Sequence, residues 1–474
     1  MNSKNIVWIF SIALSIIACN PERHQMPITT SSKEAMELFI KGREIAEPIR
    51  TPESDSLFNL AIQLDPKFAL AHSFLTTNTG LHKAKQLINQ VSPGEALLIK
   101  AWDASNAGDL ICLEMIDSLV ILYPKDKHCL FHAGLMWYHQ DEKKAINYFR
   151  KAIKLDKYYA PPKKLLAYLL MNNNKFIEAE ENFLLFLDLR PNSADAMDSY
   201  GDLLVKRGRE DRALIQFSMA QKMFPGSSYF NRKIAWIYIR QEKFEQARKF
   251  CEDLFEDAVS FRDKEIALNL IGSILFIQGD LSGALDVTDQ LIELFKDKGV
   301  FYKVGYYTHI KGWYAMLGDQ PNQALTFFSK VPEIARSKEM ENNEKSILIM
   351  YAYGCQSILH AQEGDIIKAG NYLNKARTIS GNVDNTAQAQ NYMRIYEAIY
   401  AMHKGDYKLA ITHAKLPADL RYVFAYYYLA KAYDLDGNKE QAIQYYTKTI
   451  QSSQYVVSGI LYNKSKKRLE ELSQ

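Results

Sequence analysis

Residues 141–225 read DEKKAINYFRKAIKLDKYYAPPKKLLAYLLMNNNKFIEAEENFLLFLDLRPNSADAMDSYGDLLVKRGREDRALIQFSMAQKMFP. Ala145, Ala179 and Ala213 recur in this stretch every 34 residues, and Ala247 continues the series beyond it. A second series, Ala133, Ala167, Gly201 and Ala235, runs 12 residues ahead of the first. A third, Phe149, Phe183, Phe217 and Cys251, runs 4 behind it, and Pro191 and Pro225 close two of the units. The apolar positions between these marks keep a helical period, with no convincing period-two run. Two antiparallel helices approach closely only where the crossing side chains are small. The Ala or Gly of a first helix is therefore expected to face the Ala of the second, with the aromatic one turn later filling the space between neighbouring units. Proline stops the second helix and turns the chain.

Less regular units extend the pattern toward the C-terminus. Gly272 and Ala284, Gly312 and Ala324, Ser357 and Ala369, Ala398 and Ala410, and Ala430 and Ala442 are each 12 apart, while the distance between units drifts. Ala389 falls outside this alignment. Gly279-Asp280, Gly318-Asp319, Gly364-Asp365, Gly405-Asp406 and Gly437-Asn438 mark the turns. In these pairs Gly is expected to supply the left-handed residue that ends one helix, and Asp or Asn to cap the next. Upstream, Gly42 with residues 61–66, and residues 93–124 with Gly108-Asp109 at their turn, read as degenerate units. The whole pattern resembles the tetratricopeptide repeat. That resemblance implies an all-α fold of helix-turn-helix repeats stacked into a right-handed α-solenoid superhelix. The expected division is 33–125 degenerate units, 126–261 regular array and 262–470 less regular array.

The N-terminus carries a different signal. Lys4 precedes an apolar run, Ile6 to Ile17, that is too short for the ~20 residues of a membrane span. The run ends Ile16-Ile17-Ala18-Cys19, which resembles the lipobox of bacterial lipoproteins. The resemblance implies that residues 1–18 are a cleaved signal peptide and that Cys19 becomes the acylated first residue. Residues 19–32 are polar, include Pro21 and Pro27, and read as a flexible tether about 40 Å in reach. Asn20 in place of Asp favours the outer membrane, facing the periplasm or the cell surface.

Composition narrows the function. The 474 residues hold 58 Lys and Arg against 55 Asp and Glu, too balanced to make nucleic acid the main partner. Five Cys exclude a disulfide scaffold. The chain contains no P-loop, GxSxG, HExxH or CxxC pair, so neither an enzyme nor a resident cofactor is expected. His128 and His132 have the spacing of a metal-clamping pair on a helix, but no third ligand can be assigned. Cys112 and Cys129 fall on adjacent helices; reduced and buried thiols are expected, with a bridge in an oxidising periplasm as the alternative.

In the repeat family the first helix of each unit lines the concave side. Carried over, those positions give Lys164, Tyr168, Asp195, Asp198, Asp202, Tyr229, Arg232, Trp236, Arg240, Tyr306, His309 and Trp313 as candidate partner-binding residues. Arg232, Trp236 and Arg240 share a helix face and would present an aromatic plate between two cations, near an acidic patch at 195–202. A clamp for a peptide carboxylate is not supported, because Tyr168 follows Lys164 where that mode needs Asn. The sequence thus points to a membrane-anchored envelope scaffold that binds a protein or peptide, its oligomeric state left open. The alternative is a glycan-binding outer-membrane lipoprotein of a nutrient-uptake system.

Overall fold

The computed structural model of the chain describes residues 24–473, apart from 48–50, 76–77, 225–227, 259, 337–339, 385, 420–422 and 453–457. Cys19 and the signal segment lie outside the described residues. Among the described residues every regular element is a helix. None of these helices is long and apolar enough to cross a membrane.

The chain forms two compact units, Met1–Met223 and Phe224–Gln474. The boundary falls inside the stretch where the 34-residue spacing is strictest. Unit 1 holds α1 (Lys33–Ala46), α2 (Pro52–Leu64), α3 (Ala69–Phe74), α4 (Asn78–Gln86), α5 (Pro93–Asn106), α6 (Ile111–Leu122), α7 (Lys127–Trp137), α8 (Glu142–Leu155), α9 (Pro161–Asn172), α10 (Phe176–Leu189), α11 (Ala194–Lys206) and α12 (Glu210–Met223). Unit 2 holds α13 (Ser228–Arg240), α14 (Phe244–Glu256), α15 (Phe261–Ile277), α16 (Leu281–Lys296), α17 (Phe301–Leu317), α18 (Pro321–Ala335), α19 (Asn342–Gln362), α20 (Ile366–Ser380), α21 (Thr386–His403), α22 (Tyr407–Asp419), α23 (Val423–Leu435), α24 (Lys439–Ser452) and α25 (Ser458–Ser473). Each odd-numbered helix up to α23 pairs with its successor as a hairpin, and α25 is the last described helix. In both units first helices also pack against the first helix of the next hairpin, as α9 does on α11 and α19 on α21. The first helices therefore form one layer and the second helices the other.

The small-residue series sits at the crossings as expected. Ala145, Ala179, Ala213 and Ala247 are fully buried, as are Ala133, Ala167 and Ala235. Rings of the aromatic series also pack against the first helix of their own hairpin. A methyl group on Gly201 would stand 2.4 Å from the Phe217 ring, and one on Gly312 2.4 Å from Phe328. Gly134 meets Phe149 and Gly42 meets Phe58 in the same way. The small residue of the first helix thus receives the ring as well as the facing helix. Ala389, outside the repeat alignment, is nevertheless buried in the core of α21.

Most turns follow the Gly-Asp reading. Gly279, Gly364, Gly405 and Gly437 have positive φ. The next residue caps the following helix, as Asp280 does by accepting from the Gly283 N–H at 2.8 Å and Asp365 from the Lys368 N–H at 3.0 Å. The turn after α17 differs. Gly318 has φ −88° and Asp319 takes the left-handed place with φ 59°. The register is the same: the left-handed residue still lies 7 and the N-cap, Gln320, 8 residues after the small residue Gly312, and it is the Gly-Asp pair that sits one residue early.

The tether reading is corrected from Met26 onward. The Met26 N–H donates to Asp126 at 2.9 Å. The Thr29 N–H and hydroxyl both donate to Glu95, at 3.0 and 2.5 Å. The Thr30 hydroxyl and the Ser31 N–H both donate to Asp65 at 2.7 Å, and the Ser92 hydroxyl donates to the Pro27 carbonyl at 2.8 Å. Asp65, Glu95 and Asp126 are buried, and so is the side chain of Met26, so this polar segment is ordered by hydrogen bonds to carboxylates together with one apolar anchor.

Candidate partner-binding face

On the inner layer of unit 1 the charged candidates satisfy one another. Lys164 Nζ lies 2.6 and 2.8 Å from the two carboxylate oxygens of Asp195, 31 residues on. The Tyr168 hydroxyl donates to Asp202 at 3.2 Å, 34 residues on, and its ring stands edge-on to Phe183. Only the second separation is one repeat, so Tyr168 and Asp202 are equivalent inner positions of α9 and α11, whereas Asp195 lies three residues before Asp198, the equivalent of Lys164. Burial, with Asp202 and Asp198 adding to it, raises the Tyr168 hydroxyl well above its usual range. Asp198 itself is buried. Residues 195–202 therefore carry an acidic run in sequence that is neutralised in part from the preceding hairpin.

The plate expected on α13 is covered. Trp236 is 6% exposed; it packs into the cluster of Leu270, Ile271 and Ile274, and its ring meets Tyr462 of α25 edge-on at 6.3 Å. Trp236 follows Ala235, the crossing residue, and this register turns its ring toward α15 rather than to solvent. Arg232 and Arg240 are half-buried beside it. Tyr229 is the exposed member, with Lys233 Nζ 4.6 Å over its ring.

Tyr306, His309 and Trp313 are brought together. They line one cavity of about 90 Å³ with Ile310, Tyr351, Tyr392, Ile395, Tyr396, Ile399 and Phe424. All belong to the first helices α17, α19, α21 and α23. The Trp313 indole N–H donates to His309 Nε2 at 2.9 Å. His309 stacks on Tyr351 at 5.7 Å, Tyr351 meets Tyr392 edge-on at 4.9 Å, and Trp313 lies 5.2 Å from Phe424. Burial pushes the His309 imidazole down to about 3, so the ring is neutral and can accept from the indole. Tyr351, Tyr396 and Phe424 were not among the candidates. Their signal was present: Tyr306, Tyr351, Tyr392 and Phe424 each lie 6 residues before the small residue of their unit, at Gly312, Ser357, Ala398 and Ala430. The drifting distance between units hid it.

His128 and His132 meet a carboxylate rather than an open ligand position. Glu47, its side chain 1% exposed, lies 2.8 Å from His128 Nδ1 and 3.9 Å from His132 Nε2, and accepts from the Tyr159 hydroxyl at 2.7 Å. Burial alone would raise the Glu47 carboxyl; His128, Arg43 and His132 outweigh it and hold it below its usual value. Burial pushes His132, which packs against Phe74 and Trp102, down to about 4. Among the described residues no group of three or more His, Cys, Asp or Glu side chains is placed to hold a metal ion. Cys112 and Cys129 are free and buried.

Sequence profiles of the tetratricopeptide repeat match residues 139–159, 164–228 and 424–453. No curated protein matches the chain. Solved structures similar to it include MamA from Desulfovibrio magneticus RS-1, at 13% identity and TM-score 0.32, covering 34% of this chain and 93% of that one. A tetratricopeptide repeat protein from Parabacteroides merdae is similar at 15% identity and TM-score 0.33, covering 55% of this chain and 92% of that one. PilF of Pseudomonas aeruginosa is similar at 16% identity and TM-score 0.33, covering 45% and 94%. Helical hairpins run throughout its described residues with small residues at their crossings, and three segments match the family's profiles: the chain contains tetratricopeptide repeats.

Proposed function

We propose that the chain is a lipid-anchored scaffold of the bacterial cell envelope that binds a protein or peptide through the inner layer of unit 2. The observation that carries the binding part is the aromatic row Tyr306, Tyr351, Tyr392 and Phe424, flanking a cavity on four successive first helices. Tyrosines held in place by their neighbours are rigid, amphipathic contacts of the kind that dominate protein interfaces. The anchoring part rests on the Ile-Ile-Ala-Cys end of the N-terminal apolar run, with Cys19 as the acylated residue at the outer membrane. A glycan site draws no support from the described tryptophans, of which Trp236 and Trp313 are buried and Trp102 and Trp137 half-buried.

The binding reading is tested by affinity capture from envelope extract with tagged full-length protein. Tyr351→Ala with Tyr392→Ala is expected to keep its helical content and lose most of the co-purifying protein. A well-folded double variant with an unchanged set of partners would overturn the assignment of the binding face.

A further inference from the structure

The last helix does more than end the array. A helix that only capped the final hairpin would cover α24 and α23. α25 packs against both and also against α15, near the opposite end of the same unit. Tyr462 meets Trp236 of α13 edge-on, and the Asn463 side-chain amide donates to the Ile277 carbonyl at 3.3 Å. Lys466 Nζ lies 2.5 Å from Glu242. Arg468 donates to both carboxylate oxygens of Asp434, at 2.7 and 2.9 Å. Leu469 and Leu472 pack against the cluster that contains Trp313 and Tyr428. Leu461, Ser465, Leu469 and Leu472 form the inward stripe, while Lys466 and Lys467 face solvent.

The fit is incomplete. Ser465 stands fully buried in the middle of the inward stripe with its hydroxyl unpartnered, and the Trp236 indole N–H is buried without a partner. Each unmatched buried polar group weakens the contact that buries it. The Lys466–Glu242 pair is largely in solvent and holds little. An occupant with a similar stripe and an acceptor placed for the indole would fill this groove better than α25 does.

Building on the reading of unit 2 as the partner-binding unit, we propose that the groove holding α25 is a docking site for an amphipathic helix of a partner protein. Such a helix presents an apolar stripe inward and Lys or Arg toward Glu242 and Asp434, and α25 occupies its place until displaced. Those two carboxylates select basic helices and reject acidic ones.

The test uses the full-length chain and a labelled synthetic peptide, SGILYNKSKKRLEELS, with blocked ends, followed by fluorescence anisotropy. In the native chain α25 competes at the high effective concentration of a tethered segment, so binding is weak. Lys466→Glu with Arg468→Glu loosens α25 in the chain, and this variant is expected to bind the native-sequence peptide at least tenfold more tightly than the native chain. A second variant, Glu242→Lys with Asp434→Lys, is expected to bind a peptide carrying the two Lys/Arg→Glu changes and to reject the native one. If neither folded variant gains affinity for its matched peptide, α25 is a fixed end of the array and the proposal falls. Envelope partners captured by the first variant without any peptide exchange would overturn this site while leaving the scaffold reading in place.

Discussion

Gly201 and Gly272 occupy the same place in their hairpins and answer differently to a methyl group. At Gly201 the added carbon meets the buried Phe217 ring at 2.4 Å, whereas at Gly272 the nearest atom is the Tyr314 hydroxyl at 3.6 Å. Gly201→Ala is expected to destabilise unit 1 by about 1–3 kcal/mol through overpacking. Gly272→Ala should be neutral or stabilising by up to ~1 kcal/mol, since Ala suits a helix interior better. Thermal melts of the two variants decide this, and equal losses would remove the packing account. Two buried histidines set an acid limit. His132 titrates near 4 and His309 near 3 in the folded chain, both lowered by burial from 6.5. Between pH 6.5 and 4 the unfolded chain takes up protons that the folded one does not, so stability falls as pH falls. By pH 4.5 the loss is about 2–3 kcal/mol per histidine. His132→Phe, which keeps a ring against Phe74 and Trp102, should flatten the pH dependence of the melting temperature across this window. At this scale the crossing alanines were legible, because close approach demands one residue type. The partner of a buried ring was not: Phe217 meets Gly201 of its own hairpin.

Among the elements, the segment before α1 shows what composition cannot reveal. Its polarity and prolines read as a tether, although Met26 is buried in the fold. Its partners are carboxylates at 65, 95 and 126, dozens of residues away, and no local pattern points to them. Glu95 accepts the Thr29 N–H, the Thr29 hydroxyl and the Ser92 N–H while closing the capping box of α5. Glu95→Ala is expected to cost about 2–4 kcal/mol, because it strips three donors in one step. Residues 26–31 should then become open to limited proteolysis, and an unchanged cleavage pattern would restore the tether reading. Helix boundaries were easier to foresee, because Gly-Asp and Gly-Asn pairs dictate both the left-handed residue and the cap. After α17 the Gly-Asp pair sits one residue early, so Asp319 rather than Gly318 falls on the left-handed position and Gln320 on the cap.

For the whole molecule, regularity and function part company. The strictly spaced hairpins made the fold readable, yet their inner faces use charges that largely satisfy each other, as Lys164 does with Asp195. The aromatic row lies where spacing drifts, so it was not foreseen as a row. Trp236 was misplaced because helix periodicity gives a face without saying what covers it, and the cover here, α25, lies more than two hundred residues away in sequence. Anchoring is a whole-molecule property with a simple check. Cys19→Ser is expected to move the protein from the membrane pellet to the soluble fraction of broken cells; retention of the variant in the pellet with normal processing would exclude lipidation at Cys19.

The hydrogen-bonded segment at 26–31 also has a mechanical meaning. If the chain is held at Cys19, a pull on it enters the fold at Met26 and runs along one strand. It loads Asp126 first, then the Pro27–Ser92 and Thr29–Glu95 bonds, then Asp65. Bonds loaded from one end open in turn rather than together, so they yield at low force one after another. Six released residues lengthen the leash by about 20 Å at ~3.3–3.6 Å each. The segment then acts as a force-limiting reel: it keeps unit 1 close to the bilayer at rest, and under tension gives out length before α1 is strained.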